Sequence, residues 1–175
     1  MMSEETITLG GGCFWCLDAA YRQVPGVVAV ESGYSGGYSE NPSYEAVCSG
    51  STGHAEVVQV TFDTEKIDLR VILQLFWKIH DPTTLNRQGA DVGTQYRSVI
   101  FFHGEAQEAE ARKQIAALQA EGVFANPIVT EVKPLENYFT AEAYHQDYYN
   151  QNPGQGYCSF VIAPKLAKFE KVLAG

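Results

Sequence analysis

Three consecutive glycines, Gly10-Gly11-Gly12, run straight into Cys13-Phe14-Trp15-Cys16. A thiol placed where a glycine-rich turn opens a helix faces the positive end of the helix dipole and several unpaired backbone N–H groups, both of which favour thiolate. Cys13 is therefore expected to be partly ionised near neutral pH. Full activation would need either a basic neighbour or a substrate that takes up a proton as the sulfur attacks. Phe14 and Trp15 directly after the thiol suit a small apolar substrate.

Glu56 fits the second route. It opens a segment, Ala55 to Phe62, whose alternation puts Glu56, Val58, Val60 and Phe62 on one side of a strand and Val57, Gln59 and Thr61 on the other. A carboxyl on an apolar face has its pKa raised by desolvation and becomes a general acid at neutral pH; if the strand end turns outward, Glu56 is merely solvated. Cys16 completes a Cys-x-x-Cys pair, the pattern of a dithiol couple in a reducing compartment. Zinc is the competing reading, but Cys48 and Cys158 stand alone rather than as a second close pair. Cys48 reads as structural. Cys158, in a segment with Gly154 and Gly156, could swing toward Cys13. Phe14, Trp15, Tyr34, Tyr38, Tyr44 and Tyr96 lie in or beside the suspected site loops and as a group could line a pocket. A tyrosine hydroxyl there could also donate to a polar oxygen of the substrate. Asp91 and Gln95 would either orient that substrate or meet water. His54, His80, His103 and His145 show no i, i+4 pairing of the kind that marks a metal site.

The elements that must position these residues follow from periodicity. Thr6 to Leu9 reads as a strand, Cys13 to Arg22 as a helix with Cys13, Cys16, Leu17 and Ala20 on one stripe, and Val27 to Glu31 as a second strand. Gly33 to Ser43 is a loop, with a short helix over Tyr44 to Val47. Asp68 can cap a helix carrying Leu69, Ile72, Leu73, Phe76 and His80, which Pro82 ends. Asp81 to Arg97 is polar and patternless, long enough to suggest a binding loop. Ser98 to His103 reads as a buried strand. Glu105 to Glu121 is an Ala-rich helix with Glu108 and Arg112 paired and Gly122 as its stop. Ile128 to Lys133 is a strand, Ala141 to Tyr149 helical, and Asn150 to Tyr157 a coiled tail segment beside Cys158. The irregular alternation favours an α+β two-layer sandwich with a mixed central sheet, long loops and a coiled C-terminal tail segment.

With 175 residues, 45% hydrophobic, the chain can bury one sizeable core, and residues 1–175 are expected to form a single domain. A net charge of −9 argues against nucleic acid or an anionic membrane as partner. No apolar stretch approaches the ~20 residues of a membrane span, and the acidic start Met1-Met2-Ser3-Glu4-Glu5 is unlike a basic secretory leader. A cytoplasmic monomer is expected. Its four cysteines would rest as thiols, and any disulfide among them would be transient and catalytic.

Taken together, the residues resemble the methionine sulfoxide reductase A family. The matching motifs are Gly11-Gly12-Cys13-Phe14-Trp15, Gly33-Tyr34-Ser35-Gly36-Gly37, Asn41-Pro42-Ser43-Tyr44, Val47-Cys48-Ser49-Gly50 and Thr52-Gly53-His54-Ala55-Glu56. His80-Asp81-Pro82-Thr83, Gly89 through Ser98 and Ala143-Tyr144-His145-Gln146-Asp147-Tyr148 complete the series in the family's order. The resemblance implies reduction of the S epimer of methionine sulfoxide, free or in proteins, without a cofactor or metal. It further implies that Cys13 attacks the sulfoxide sulfur while Glu56 protonates its oxygen, aided by Tyr44 and Tyr96. Phe14 and Trp15 would hold the methyl group and Asp91 would orient the remainder. Cys13 is left as sulfenic acid, a second thiol condenses with it, and thioredoxin reduces the disulfide. The sequence departs from a common family pattern in having Cys16 where many members have Gly, and in carrying a single tail cysteine where some have two. Cys158 sits like a family recycling cysteine and is the first choice for the resolving thiol. Cys16 is the second, close to Cys13 but awkward for a disulfide within an intact helix.

Three other functions compete. A general dithiol oxidoreductase would use Cys13 and Cys16 without Glu56 or the tyrosines. A binding module for oxidised methionine would consume no thiols, and a zinc module would hold metal.

Overall fold

The computed structural model describes residues 3–152 and 154–174; Met1 and Met2 of the acidic start lie outside them. Strands and helices follow in the order β1 (Glu4–Gly10), α1 (Phe14–Arg22), β2 (Val27–Ser35), α2 (Tyr44–Cys48), β3 (Ala55–Asp63), α3 (Leu69–Ile79), β4 (Arg87–Gln88) and β5 (Asp91–Val92). A 3-10 turn at Thr94–Tyr96 leads into β6 (Val99–Phe102), α4 (Glu105–Ala120), β7 (Glu131–Pro134) and β8 (Phe139–Thr140). A second 3-10 turn at Ala143–His145, α5 (Tyr148–Gln151), a π-helical turn at Cys158–Ile162 and α6 (Ala163–Ala174) complete the chain.

The sheet runs β7-β6-β1-β3-β2-β8, with β6 and β7 parallel and the other pairings antiparallel, so it is mixed as expected. Register follows the hydrophobic alternation: Ile7 faces Val60 and Leu9 faces Val58 across β1 and β3. Those side chains and Phe62 are fully buried in one core with Leu17, Ala20 and Tyr21 of α1, Ile72, Leu73 and Phe76 of α3, and Ile162, Leu166 and Phe169 near the C-terminus. Full burial of a side chain such as Leu17 or Ile72 is worth about 1.5–3 kcal/mol. The other face is covered over a shorter span, where Ala55, Val57, Val99 and Phe101 pack under Leu135 and Tyr138.

Several local readings hold. The Asp68 carboxylate accepts the Arg70 amide at 3.0 Å and caps α3, Glu108 and Arg112 pair at 3.0 Å, and Gly122 stops α4 with φ 63°. Others shift. The patternless Asp81 to Arg97 folds into the β4–β5 hairpin and a 3-10 turn, pinned by the Asp81 amide donating to Gln88 Oε1 at 3.0 Å and Gly93 donating to Asn86 at 2.9 Å. A short hairpin held by a side-chain amide and one turn bond leaves no periodicity to read. The helix expected at Ala141 to Tyr149 is instead two short turns, broken by Asp147 in the left-handed region at φ 55°. The coiled segment before Cys158 is short, because the chain is helical again from Gly156.

Candidate functional site

The site is built where β1 delivers the chain to α1. Gly12 has φ +90°, and a Cβ there would meet Gln88 Cγ at 2.8 Å, so this turn demands glycine. Its N–H donates to the Tyr96 carbonyl at 3.2 Å, which draws the Tyr96 turn against the start of α1. Cys13 is the N-cap residue, extended at φ −62° and ψ 128°, with no side-chain cap. The first helical amide, that of Phe14, donates to Glu56 Oε1 at 3.1 Å. A β3 carboxyl therefore occupies the helix N-terminus directly beside the thiol.

Glu56 lies on the apolar face of β3, as the alternation predicted, and is fully buried. Burial pushes its pKa up to about 8, against the Phe14 N–H, which favours the ionised form. Its other oxygen, Oε2, is buried and has no hydrogen-bond partner among the described residues.

Cys13 departs from the sequence expectation. It is buried, and burial is the largest influence, holding the thiol well above its usual pKa; the Glu56 charge pushes the same way, and only the Trp15 N–H opposes them strongly. The helix-terminal field, worth about 2 kcal/mol at best, loses to desolvation in a dry site that also holds a carboxyl. Cys16, on the same stripe, is also buried and raised to about 11, while the Lys165 charge partly offsets the burial.

Aromatic rings gather around Phe14 and Trp15, the two residues after the thiol. Phe14 lies 5.7 Å from Tyr34, 6.3 Å from Tyr44 and 5.1 Å from His145, centroid to centroid. The Trp15 indole stacks on Tyr148 at 3.8 Å. Tyr44 and Tyr96 are half-buried, and both hydroxyls are raised by burial and then by the Glu56 charge. The Tyr44 hydroxyl also donates to the Cys48 sulfur, which gives Cys48 a local partner that its sequence neighbourhood did not reveal. Tyr34 belongs to β2 rather than a loop, fully buried with its hydroxyl donating to Glu142 at 2.8 Å, and Tyr38 is 76% exposed and lines nothing. Asp91 reaches the site from β5 and accepts a hydrogen bond from Tyr157. Gln95 turns inward and donates to the Cys48 carbonyl at 3.3 Å, bracing α2. Cys158 is fully buried in the π-helical turn, its thiol raised by that burial alone. All four cysteines are free.

Four contributors escaped the reading of single residues: Glu142, which holds both Tyr34 and the Tyr44 amide, His145, Tyr148 and Tyr157. They reach the site from about a hundred or more positions away, and only the motif around Tyr144-His145 marked their neighbourhood. Among the described residues no three His, Cys, Asp or Glu side chains gather as metal ligands, and no helix is long and apolar enough to cross a membrane.

A buried thiol capping a helix beside a raised carboxyl, with aromatic rings around the start of that helix, suits a cysteine-dependent oxidoreductase. The chain belongs to the peptide methionine sulfoxide reductase family, whose profile matches residues 5–174, and it is an enzyme of that class. It is 58% identical over 167 residues to the peptide methionine sulfoxide reductase MsrA of Trichodesmium erythraeum, covering 95% of this chain and 94% of that protein. Among solved structures it resembles Mxr1 from Saccharomyces cerevisiae in reduced form, with TM-score 0.82, 38% identity and coverage of 90% of this chain and 93% of that one. Mxr1 in complex with Trx2 matches with TM-score 0.59 and 29% identity, over 83% of this chain and 84% of that one.

Proposed function

We propose that the chain reduces the S epimer of methionine sulfoxide, free or in proteins, through a Cys13 sulfenic acid and an intramolecular disulfide that thioredoxin reduces. The observation that carries this reading is Glu56 Oε2: a buried, unpartnered oxygen of a carboxyl held protonated near neutral pH, with its twin oxygen fixed to the amide next to Cys13. A module that only binds oxidised methionine needs no thiol beside such a carboxyl.

In the first step the Cys13 sulfur attacks the sulfoxide sulfur while Glu56 gives its proton to the oxygen. Tyr44 and Tyr96 donate to that oxygen as its charge develops; the Cys48 sulfur, a weak acceptor, readily gives up the Tyr44 hydroxyl. Phe14 and Trp15 hold the methyl group, and Asp91 orients the rest of the substrate. The oxygen passes to Cys13 as the sulfur–oxygen bond of the substrate breaks, so methionine leaves reduced by two electrons and Cys13 is oxidised by two to sulfenic acid. The thiol's own proton replaces the one Glu56 gave. A second thiol then displaces water from the sulfenic sulfur and forms the disulfide. Cys158 is the first choice for that thiol. Its likeness to a family recycling cysteine supports it; both it and Cys16 are buried in helical turns. The Trx2 complex of Mxr1 supports thioredoxin as reductant.

The test is a single turnover without reductant, counting methionine formed and thiols lost with each sulfoxide epimer. About one methionine per chain from the S epimer alone, with two thiols lost and none from Cys13→Ser, is expected from the balanced sequence above. No methionine with thiols unchanged overturns the proposal.

A further inference from the structure

The imidazole of His54 commits both of its nitrogens to one loop. Nδ1 accepts the Gly37 N–H at 2.9 Å, so the ring proton sits on Nε2, which donates to the Ser39 carbonyl at 2.7 Å. His54 itself is buried, with Phe139 edge-on to its ring at 5.5 Å. The loop it grips has no apolar anchor of its own, since none of residues 36–43 is buried. Hydrogen bonds hold it instead: Asn137 takes the Gly36 N–H and donates to the Gly37 carbonyl, and the Thr52 carbonyl accepts from the Tyr38 N–H. A Cβ on Gly37 would collide with the Thr52 carbonyl and the His54 amide, so the loop lies directly against the chain that leads into β3. Downstream the loop delivers α2, whose first residue, Tyr44, stacks its ring 6.3 Å from that of Phe14. On the other side of the clip, Glu56 follows His54 by two residues. The strand that bears the carboxyl thus also bears the group that fastens the loop before Tyr44.

We infer that His54 is a positioning residue for the first chemical step: by clipping Gly37 and Ser39 to the start of the Glu56 strand, it fixes where Tyr44 stands when the sulfoxide is bound. This rests on the reading of Tyr44 as a donor to the sulfoxide oxygen. His54 acts through Tyr44 and not through Glu56, so its loss slows methionine formation and leaves the proton transfer from the carboxyl with its own pH dependence.

The experiment is a double-mutant cycle of His54→Leu and Tyr44→Phe, read by rapid-quench single turnovers with the S epimer and by hydrogen exchange at the Gly37 and Tyr38 amides. Tyr44→Phe alone should slow methionine formation by roughly 10²-fold, the usual worth of one donor to a developing oxyanion. His54→Leu should slow it by about tenfold, the scale of two hydrogen bonds lost from the loop that presents Tyr44, and should add less than about twofold on top of Tyr44→Phe. The fall in rate as pH rises through about 8, which belongs to Glu56, should persist in His54→Leu. The Gly37 amide should exchange about tenfold faster in the same variant. Asn carries an oxygen close to the Nδ1 position and keeps the Gly37 bond alone, so His54→Asn should fall between wild type and Leu, and it carries the cycle should Leu fail to fold. Additive rate losses, a displaced pH limb or unchanged amide exchange overturns the inference. If Tyr44→Phe alone leaves the first step unchanged, the reading of Tyr44 is what fails, and the role given to His54 falls with it.

Discussion

The backbone amide of Phe14 donates to the side chain of Glu56 at 3.1 Å, tying a carboxyl on the third strand to the first turn of the first helix. The contact fixes one oxygen of Glu56 next to Cys13 and leaves the other for a proton. It also settles a competition at the helix N-terminus, where the first amide is taken by the carboxyl rather than left to the thiol.

The pH profile of the first step follows from that contact. Glu56, raised to about 8, is protonated below that pH and loses its proton above it, so the rate of methionine formation should fall with a one-proton dependence as pH rises through about 8. Glu56→Gln should slow the step by roughly 10²- to 10⁴-fold, the usual worth of general acid catalysis, and abolish this limb. Rapid-quench single turnovers between pH 6 and about 9.5 measure both; a profile that keeps its limb in the variant assigns it to another group.

Stability should show the opposite side of the same shift. The folded-state pKa lies above the usual carboxyl value of 4.5, so the protonated carboxyl's contribution is fully present below 4.5 and is lost as pH rises through about 8. The penalty grows by at most about 1.4 kcal/mol per pH unit across that window. Glu56→Gln should therefore gain stability relative to wild type on going from pH 5 to about 9, read as a widening gap between denaturant midpoints.

Replacing the resolving thiol should separate the two half-reactions. Cys158→Ser should still yield about one methionine per chain in a single turnover yet lose thioredoxin-driven cycling. Cys16→Ser should keep both. Cycling that survives in the first variant and vanishes in the second exchanges the two assignments.

Gly12 provides a test of the scaffold. Gly12→Ala puts a Cβ on a residue at φ +90° and 2.8 Å from Gln88, so it should cost about 1–3 kcal/mol in chemical denaturation and slow the first step by displacing Cys13. Gly50, also at positive φ but with open space around it, should tolerate Ala with a smaller loss and unchanged turnover.

The sequence exposed local features and hid distant ones. Glu56 on an apolar strand face, Asp68 as a cap and the glycine turn before Cys13 were legible because each rests on neighbours a few residues away. Family motifs located Tyr44, Tyr96 and Asp91. The direction of the Cys13 shift was not legible, because it is set by burial under residues far along the chain and by Glu56 rather than by the helix it caps. Nor were the bonds of Glu142 to Tyr34 and of Tyr157 to Asp91, made across 108 and 66 positions. The hairpin in the polar loop escaped for a different reason: its bonds are local, but its two-residue strands are too short to show any alternation.

Burial raises the thiols of Cys13, Cys16, Cys48 and Cys158 alike. Peroxides and alkylating agents react with thiolate, so an idle molecule that stores every sulfur as thiol is a poor scavenger of them. Under the mechanism proposed above, its chemistry is switched on by a bound sulfoxide accepting a proton, not by ambient oxidant. Such a chain can persist among the agents that damage its substrates without spending its own sulfurs on them.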